Sequence, residues 1–572
     1  MTSGASLRGH PASSGVAVGP AWLRAETKAA AGTPAEERAR VERGLRAAAD
    51  ELAQLAGRLR EEGRSADAEI VEANLLMSED AALVEAALAA ADGGAAAAVA
   101  IAEAAEPHVR TLAALDDPML AARAADLRSI VRRAGELAAG LVQSPPPGSI
   151  VVADDLGPGD VAAWSRSVAG IALSEGGTTA HAAIIARSLA IPLVTGVGAQ
   201  LLRVAAGEQL AVDGDRGLVV RAPDGPTRAR LERRLASARE EAERSRRERL
   251  DPAVTRDGRV VRLLANAGSP AEIEAALDAG AEGVGLLRSE LAFLDAASWP
   301  DEQQHERVLR PMLDLLRDRI ATVRTLDFGG DKTPPFLVDT GADSMLGPRG
   351  VRLSLAADGA LLPQLRALAR VSCDSVLRIL IPMVTEAAEV DAVRELANRA
   401  RDEVAPGTPD PLVGAMIEVP AAALNAHPIA RSADFLSIGT NDLVQYTLAA
   451  DRQNPYVAER AVAYHPAVIR LIARVIAAAR SAGVPVDVCG EAAGDPELLP
   501  LLVGMGVDEI SVSPARVART RRMIRSLSVQ RARALAAEAL SAPTAGAVAA
   551  LAAAAFDSAE AVEQLGDRVQ RG

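Results

Sequence analysis

The chain has 572 residues, which is too long for one hydrophobic core and predicts about three or four domains. Its net charge of −14 at pH 7 argues against a nucleic-acid-binding protein, because such proteins neutralise phosphates with basic surfaces. The two cysteines cannot form a disulfide framework and favour a reducing, cytoplasmic compartment. No apolar run approaches the ~20 residues of a membrane span, and the start lacks the apolar stretch of a signal peptide. We therefore expect a cytoplasmic, multidomain enzyme.

The pattern of apolar and glycine residues changes twice in the first part of the chain. A strand-like start gives way at residue 34 to long Ala/Leu/Glu/Arg-rich stretches with helical apolar spacing. Short apolar runs with glycine turns resume near residue 149. We interpret residues 1–33 and 141–225 as one α/β domain, into which residues 34–140 insert a helical bundle.

The second part of the chain has the pattern of a (β/α)₈ barrel. Residues 226–255 are densely charged at first and predict a solvated linker helix. Residues 256–572 then alternate short apolar runs with helical stretches, as a barrel of eight strand–helix units requires. The eight runs are residues 261–265, 284–287, 323–326, 379–383, 415–417, 435–438, 486–488 and 510–512.

Polar or reactive residues follow six of these eight runs directly. They are Asn266, Arg288, Asp327, Glu418, Asn441 with Asp442, and Cys489. In a (β/α)₈ barrel, the carboxyl ends of all strands meet at one rim, where active sites of this fold are built. One such residue alone would be an ordinary loop residue, so the prediction of an active site depends on all six positions together.

A separate motif in the α/β domain contains a histidine at a predicted helix start. Residues 175–187 read Glu-Gly-Gly-Thr-Thr-Ala-His-Ala-Ala-Ile-Ile-Ala-Arg. The two glycines allow a ligand to approach the backbone, and His181 would lie beside unpaired backbone N–H groups at the positive end of a helix dipole. That setting suits an imidazole that carries a phosphate, although a histidine at a helix start is more often structural.

This motif resembles the phosphohistidine signature of the PEP-utilising enzyme family, which includes Enzyme I of the bacterial phosphotransferase system, phosphoenolpyruvate synthase and pyruvate phosphate dikinase. His181 matches the phosphorylated histidine, and Ala180 stands where the family often has Ser or Cys. The resemblance extends over nearly the whole chain. It implies a phosphohistidine domain with a helical insertion, followed by a barrel that binds phosphoenolpyruvate.

The family resemblance also implies a substrate site on the barrel. Residues 283–290, 324–332 and 346–352 resemble three family segments rich in arginine and glycine. Phosphoenolpyruvate has a phosphate and a carboxylate on a three-carbon frame, and the planar guanidinium group suits both. By this resemblance, the substrate-binding residues are Arg288, Arg324, Lys332, Arg349, Asn441 and Arg452.

Two further segments imply a metal site and an acid. Glu418 and Asp442, in Met-Ile-Glu-Val-Pro and Ser-Ile-Gly-Thr-Asn-Asp-Leu, match the family's Mg²⁺ ligands. Two carboxylates with substrate oxygens and waters suit this hard, octahedral ion. Cys489, in Cys-Gly-Glu-Ala-Ala-Gly-Asp, matches the thiol that protonates C3 of the enolate to give pyruvate.

Enzyme I is the member that the chain resembles over its full order of domains. The implied activity is transfer of the phosphoryl group of phosphoenolpyruvate to His181 and then to the carrier protein HPr, the first step of sugar uptake. The resemblance further implies that the helical insertion docks HPr and that the barrel forms a homodimer.

Three alternatives remain to be weighed against this reading. Phosphoenolpyruvate synthase and the dikinase need a nucleotide-binding domain before the phosphohistidine segment, where this chain has only a strand and a helical bundle. A regulatory or scaffold protein would be expected to lack some of the reactive residues. A barrel aldolase or lyase acting on pyruvate would leave His181 without a role.

Overall fold

The computed structural model describes the chain as two compact units, Met1–Glu243 and Arg244–Gly572. The described residues are 6–24, 32–61, 65–114, 118–141, 143–165, 167–177, 181–189, 191–330, 332–342, 344–357, 359–371, 376–451, 454 and 456–556. Among the helices of these residues, none is long and apolar enough to cross a membrane.

The first unit contains an eight-stranded mixed sheet. Its strands are β1 (Ser6–Arg8), β2 (His10–Ser13), β3 (Val16–Leu23), β4 (Ile150–Ala153), β5 (Gly170–Leu173), β6 (Leu193–Thr195), β7 (Gln209–Asp213) and β8 (Leu218–Arg221). They lie in the order β1-β8-β7-β3-β4-β5-β6-β2, with β3 to β6 parallel and the other pairs antiparallel. Alternate residues of β4 enter different hydrophobic clusters, because successive side chains of a strand point to opposite faces.

Among the residues that the structure describes, eight helices belong to the same part of the chain as this sheet. They are α1 (Pro34–Glu61), α2 (Ser65–Ser78), α3 (Ala81–Asp92), α4 (Ala97–Ala113), α5 (Pro118–Ala139), α6 (Pro158–Trp164), α7 (His181–Ser188) and α8 (Gly225–Arg247). Helices α1 to α5 lie between β3 and β4 in the chain, whereas these two strands pair with each other in the sheet. Helix α8 is rich in charged residues, and the division of the chain into two units falls within it.

A buried ion cluster joins the insertion to the sheet domain. Arg24, the residue after β3, has its Nε 2.6 Å from Oε1 of Glu136 on α5 and its Nη2 3.0 Å from Oδ1 of Asp160 on α6. The guanidinium of Arg24 also lies over the ring of Trp164, 5.0 Å from its centroid. Both carboxylates are almost fully buried, so this cluster fixes α5 and α6 to the end of β3.

The second unit is a closed barrel of eight parallel strands, which confirms the predicted (β/α)₈ fold. The strands are β9 (Arg262–Ala267), β10 (Gly283–Arg288), β11 (Ile320–Arg324), β12 (Val376–Ile381), β13 (Leu412–Ile417), β14 (Leu436–Ile438), β15 (Val486–Val488) and β16 (Glu509–Val512). Each overlaps or adjoins one of the eight apolar runs found in the sequence.

Thirteen further helices surround the barrel in the described part of the chain. They are α9 (Pro270–Asp278), α10 (Glu302–Asp314), α11 (Val351–Ala356), α12 (Leu361–Val371), α13 (Ala387–Val404), α14 (Pro420–Leu424), α15 (Ala426–Ser432), α16 (Thr440–Leu448), α17 (Pro466–Ala482), α18 (Leu499–Met505), α19 (Val517–Ser526), α20 (Val529–Ala539) and α21 (Ala545–Ala553). One continuous hydrophobic core joins the outward faces of the strands to these helices.

Candidate active site

The barrel places the predicted site residues at the carboxyl ends of its strands. Arg288 and Arg324 are the last residues of β10 and β11, and Glu418 and Cys489 come directly after β13 and β15. Asn441 and Asp442 lie in the first turn of α16, shortly after β14. Because all eight strands are parallel, these residues share one rim, as the sequence predicts.

A buried cluster of opposite charges occupies one side of this rim. Arg324 pairs with Glu290, which lies just after β10, and its Nη1 is 3.3 Å from Oδ2 of Asp327. The Nζ of Lys332 lies 3.2 Å from Glu290 Oε1 and 3.1 Å from Asp327 Oδ2. Although burial opposes ionisation, the nearby cations hold the pKa of both acids below their ordinary values. The cluster therefore fixes two cations in place before any substrate binds.

Arg349 joins this cluster to the predicted metal ligands. Its Nη2 donates to Asp327 Oδ2 at 3.0 Å, and its Nη1 donates to Asp442 Oδ1 at 2.9 Å. A further contact joins Nη1 to the Tyr446 hydroxyl at 3.4 Å. The side chain of Arg349 is completely buried, which is sustainable because it contacts two carboxylates.

Glu418 and Asp442 form an acidic pair that fits a divalent cation. Glu418 Oε1 accepts a hydrogen bond from the Met383 backbone N–H at 2.7 Å, which orients the carboxyl group. Burial, followed by the charges of Asp442 and Asp327, raises the pKa of Glu418 to about 8. A cation between the two carboxylates would relieve this excess negative charge. Among the described residues, no group of three or more His, Cys, Asp or Glu side chains could hold a metal ion.

Cys489 lies in an apolar part of the barrel interior. It packs with Leu286, Leu380, Met416 and Phe435, and its thiol is 3.7 Å from the carbonyl oxygen of Ile438. Burial and the charge of Asp487 raise the pKa of the thiol well above its usual value, against the hydrogen bond from Ser437. The sulfur therefore carries a proton at neutral pH, as a proton donor must.

The side chains of Arg288 and Asn441 differ in their hydrogen bonds at the rim. The Nε of Arg288 is buried and has no hydrogen-bond partner among the described residues. A buried guanidinium N–H of this kind can donate to an anionic group. The side-chain oxygen of Asn441 accepts a hydrogen bond from the backbone N–H of Glu491 at 3.1 Å, which fixes its amide plane.

The remaining two predicted residues are only partly described. His181 is the first residue of α7, as the motif predicts, and follows the glycine pair and residues 178–180, which lie outside the described residues. Arg452, predicted to bind substrate, also lies outside the described residues. Its role stays a prediction.

Two contributors to the site were not found by reasoning from the sequence. Tyr446 contacts Arg349 and donates its hydroxyl to the Met345 carbonyl oxygen at 2.6 Å, which fixes the ring. Met383 has a φ of 60°, a left-handed conformation that is costly for a side chain of this size. In this conformation the backbone N–H of Met383 donates to Glu418. A methionine in the sequence gives no sign of such a conformation.

The sequence matches the models of three protein families along its length. The PEP-binding domain of PEP-utilising enzymes matches residues 242–529, their mobile domain residues 145–217 and their N-terminal domain residues 8–123. The first of these matches covers the barrel and its rim.

Several characterised proteins are similar to the chain. The phosphoenolpyruvate-protein phosphotransferase of Cupriavidus necator is 38% identical over 550 residues, 91% of this chain and 94% of that protein. The multiphosphoryl transfer protein of Rhodobacter capsulatus is 40% identical over 443 residues, 76% of this chain. The chain spans only about half of that protein (53%) and of a second multiphosphoryl transfer protein (54%). An NMR structure of an Enzyme I protein is 31% identical, covers 41% of this chain and 99% of its own, and has a TM-score of 0.31.

The chain therefore belongs to the PEP-utilising enzymes and, within them, to the phosphoenolpyruvate-protein phosphotransferases. Enzymes of this family are transferases.

Proposed function

We propose that this protein takes the phosphoryl group of phosphoenolpyruvate onto His181, releases pyruvate and passes the phosphoryl group to the carrier protein HPr. The observation that carries the proposal is the buried rim cluster, in which Arg324, Lys332 and Arg349 lie with the acidic pair of Glu418 and Asp442. Such an arrangement of fixed cations around acids suits a small molecule with two anionic groups and a bound metal ion.

Substrate binding is assigned to the basic residues of the rim and to Asn441. Arg288 offers an unpaired guanidinium N–H, while Arg324 and Lys332 are held by Glu290 and Asp327. Cations that are already fixed need little reorganisation when negative charge develops on the leaving phosphoryl group. Arg452 completes the proposed set by family resemblance.

Glu418 and Asp442 are the proposed protein ligands of Mg²⁺. A bound Mg²⁺ would neutralise charge on the phosphate and carboxylate oxygens of the substrate. Burial and the charges of Asp442 and Asp327 raise the pKa of Glu418, and a bound cation would oppose that rise.

The chemistry of the protein then divides between two side chains. His181, at the start of α7, is the nucleophile that accepts the phosphoryl group. The organic product is an enolate, and the protonated thiol of Cys489 donates a proton to its C3 to give pyruvate. The two residues belong to different units of the chain.

The proposed partners follow from the family resemblance. The insertion of α1 to α5 is the proposed docking surface for HPr, and the barrel is the proposed dimer contact. The low cysteine content favours a cytoplasmic location, where a sugar phosphotransferase system would use the enzyme.

Labelled phosphoenolpyruvate tests the nucleophile and the metal requirement together. The wild-type protein, given ³²P-labelled phosphoenolpyruvate and Mg²⁺, should acquire acid-labile label on His181, as mapped by mass spectrometry. His181→Ala should acquire none, and chelation with EDTA should prevent labelling of the wild type. Exposed His427 provides the control, since His427→Ala should label normally. Stoichiometric label on His181→Ala would refute the assignment.

A further inference from the structure

Helix α12 carries a glutamine among the apolar residues that it packs against the barrel. Its buried stripe has the i, i+3, i+4, i+7 spacing of an amphipathic helix and runs through Leu361, Gln364, Leu365 and Leu368. Gln364 is completely buried, although its place in this stripe suits a leucine. Burying an amide is unfavourable unless its polar atoms have hydrogen-bond partners, so the partners of Gln364 indicate its role.

Both ends of the Gln364 amide are bonded to the chain just after β11, one directly and one through Ser289. The Oε1 of Gln364 accepts a hydrogen bond from the backbone N–H of Leu326 at 3.0 Å. Its Nε2 donates to the hydroxyl of Ser289 at 2.9 Å, and that hydroxyl donates to the carbonyl oxygen of Arg324 at 2.7 Å. Ser289 is also completely buried. Gln364 and Ser289 together, here called the amide clamp, therefore hold the two peptide groups on either side of Thr325.

The amide clamp acts where the chain leaves the barrel sheet. Arg324 is the last residue of β11, and the N–H of Thr325 donates to the Leu380 carbonyl oxygen on β12 at 3.0 Å. Asp327 follows two residues later, and its Oδ2 lies 3.1 Å from the Nζ of Lys332. A shift of this backbone would displace both Arg324 and Asp327, and with them the buried charge cluster of the rim.

Ser289 extends the amide clamp to the segment that follows β10. Strands β10 and β11 pair in parallel, so the segments after them are neighbours at the rim. Ser289 lies between Arg288, a proposed substrate-binding residue, and Glu290, which pairs with Arg324 and Lys332. The bond from the Ser289 hydroxyl to the Arg324 carbonyl oxygen therefore ties together the two segments that carry these charged side chains.

We propose that Gln364 and Ser289 are positioning residues for the reaction with phosphoenolpyruvate, a role that rests on the proposed function of the rim. Both side chains are completely buried and bonded to each other and to the backbone, so they act through Arg324 and Asp327 and not on the substrate. Cations held in place stabilise the charge of the transition state without reorganising. A displacement of about 1 Å at such a site slows a reaction on the order of 10²-fold.

Gln364→Met separates positioning from packing. Methionine has a similar length and suits the apolar stripe of α12, but it cannot bond to Leu326 or Ser289. Rapid-quench measurements with ³²P-labelled phosphoenolpyruvate and Mg²⁺ give the rate of protein labelling at saturation and the half-saturating substrate concentration. The saturated rate should fall on the order of 10²-fold, with a far smaller change in the half-saturating concentration, because the fixed cations serve the transition state more than the bound substrate.

Ser289→Ala provides a second test, because it deletes a single oxygen of the same hydrogen-bonded chain. It should lower the saturated rate as Gln364→Met does, and the double variant should lose little more than either single variant, since both residues act as one unit. Gln303→Met, at an exposed position of α10, and Thr322→Val, which removes a buried hydroxyl without a hydrogen-bond partner among the described residues, are the matched controls. Both controls should label at the wild-type rate.

The remaining outcomes distinguish this inference from the proposed function. A wild-type saturated rate in Gln364→Met and Ser289→Ala would overturn the positioning role and leave the proposed function intact. Losses that add in the double variant would also overturn it, because the two residues would then act separately. A wild-type protein that takes no label from phosphoenolpyruvate would instead overturn the proposed function itself, and the positioning role with it.

Discussion

The guanidinium group of Arg349 forms ion pairs with two carboxylates of the proposed active site. It is completely buried and contacts both Asp327, part of the cation cluster, and Asp442, a proposed Mg²⁺ ligand. A buried charge pair adds little net stability by itself, but removing one partner leaves the other uncompensated. Arg349 therefore couples the stability of the barrel to the geometry of its rim.

Arg349→Met should destabilise the barrel by about 3–5 kcal/mol, because Asp442 and Asp327 lose their shared partner. Urea denaturation followed by circular dichroism measures this loss. The matched control is Arg352→Met, three residues further along, where the side chain is exposed and the expected change is within about 0.5 kcal/mol. Equal stability of the two variants would show that the buried pairs do not hold the rim.

Site residues whose side chains have distinctive chemistry could be predicted from the sequence. Residues that contribute only through their position in the fold could not. Arg324, Glu418 and Cys489 stand directly at strand ends in recognisable segments, and the barrel brings them to one rim. Tyr446 and Met383 contribute through a contact from α16 and through a backbone N–H. Such contributions depend on tertiary geometry, which neither apolar periodicity nor motif spacing encodes.

Helix α1 shows how backbone packing fixes the insertion. Gly44 faces α5 so closely that a Cβ there would lie 2.5 Å from the Ala134 carbonyl oxygen and 2.6 Å from the Ala138 side chain. Gly57, on the same helix, would place its Cβ in open space. The two glycines are therefore equivalent in helix propensity and opposite in packing.

Gly44→Ala should destabilise the first unit by about 1–3 kcal/mol, because α1 and α5 must separate to admit the methyl group. Gly57→Ala should stabilise it by about 0.5–1 kcal/mol, since alanine loses less conformational entropy in a helix. Thermal unfolding monitored by circular dichroism distinguishes the two. A gain in stability for Gly44→Ala would mean that the helices do not pack this closely.

Helix α10 introduces a pH dependence through His305. This histidine is completely buried against Phe293, and neither ring nitrogen has a hydrogen-bond partner among the described residues. Burial lowers the pKa of His305 to about 4, against the charge of Asp301. As the pH falls from 6.5 to 4, the imidazole of His305 becomes protonated in the unfolded chain but stays neutral in the folded protein. The free energy of unfolding therefore falls across this window by about 3 kcal/mol.

His305→Leu should remove this contribution, so that the barrel loses about 3 kcal/mol less stability between pH 6.5 and pH 4. Urea denaturation at several pH values measures the slope. His427→Leu, at an exposed position, should retain the wild-type slope. The same slope in His305→Leu as in the wild type would assign the acid sensitivity to other groups.

Strands that a local sequence pattern indicates were predictable, whereas strands that form only by pairing with a distant strand were not. All eight barrel strands appear where apolar runs lie between helical stretches. The short strands β1 and β2 were not predicted, because they exist through antiparallel pairing with β8 and β6. These partners lie 180 or more residues away in the chain, beyond the reach of any local signal.

The two proposed reactive side chains lie on different units of the chain. His181 belongs to the first unit and Cys489 to the second. In the proposed reaction the thiol acts only on the product of phosphoenolpyruvate, whereas the histidine serves both donor and carrier. The two half-reactions should therefore respond differently to a change at Cys489.

Cys489→Ala should react with phosphoenolpyruvate about 10²–10⁴-fold more slowly, because a positioned proton donor is lost. The same variant, given phosphorylated HPr, should accept and return phosphate at His181 at nearly the wild-type rate. Rapid-quench measurements of ³²P on the protein give both rates, with wild-type protein as the reference. Similar losses in both half-reactions would make Cys489 a structural residue.

The pairing of β3 with β4 has a consequence for how this architecture can change in evolution. The chain leaves the sheet at Leu23 and returns at Ile150, which is paired with Ala21, so departure and return lie only two residues apart along the strands. With strands ~4.8 Å apart and ~3.3 Å per residue, the two points are within about 10 Å of each other. Helices can therefore be lengthened, shortened or replaced between these points without shifting a strand. A lineage could exchange the helices between β3 and β4 while leaving the sheet unaltered, provided that the contacts of Arg24 are kept.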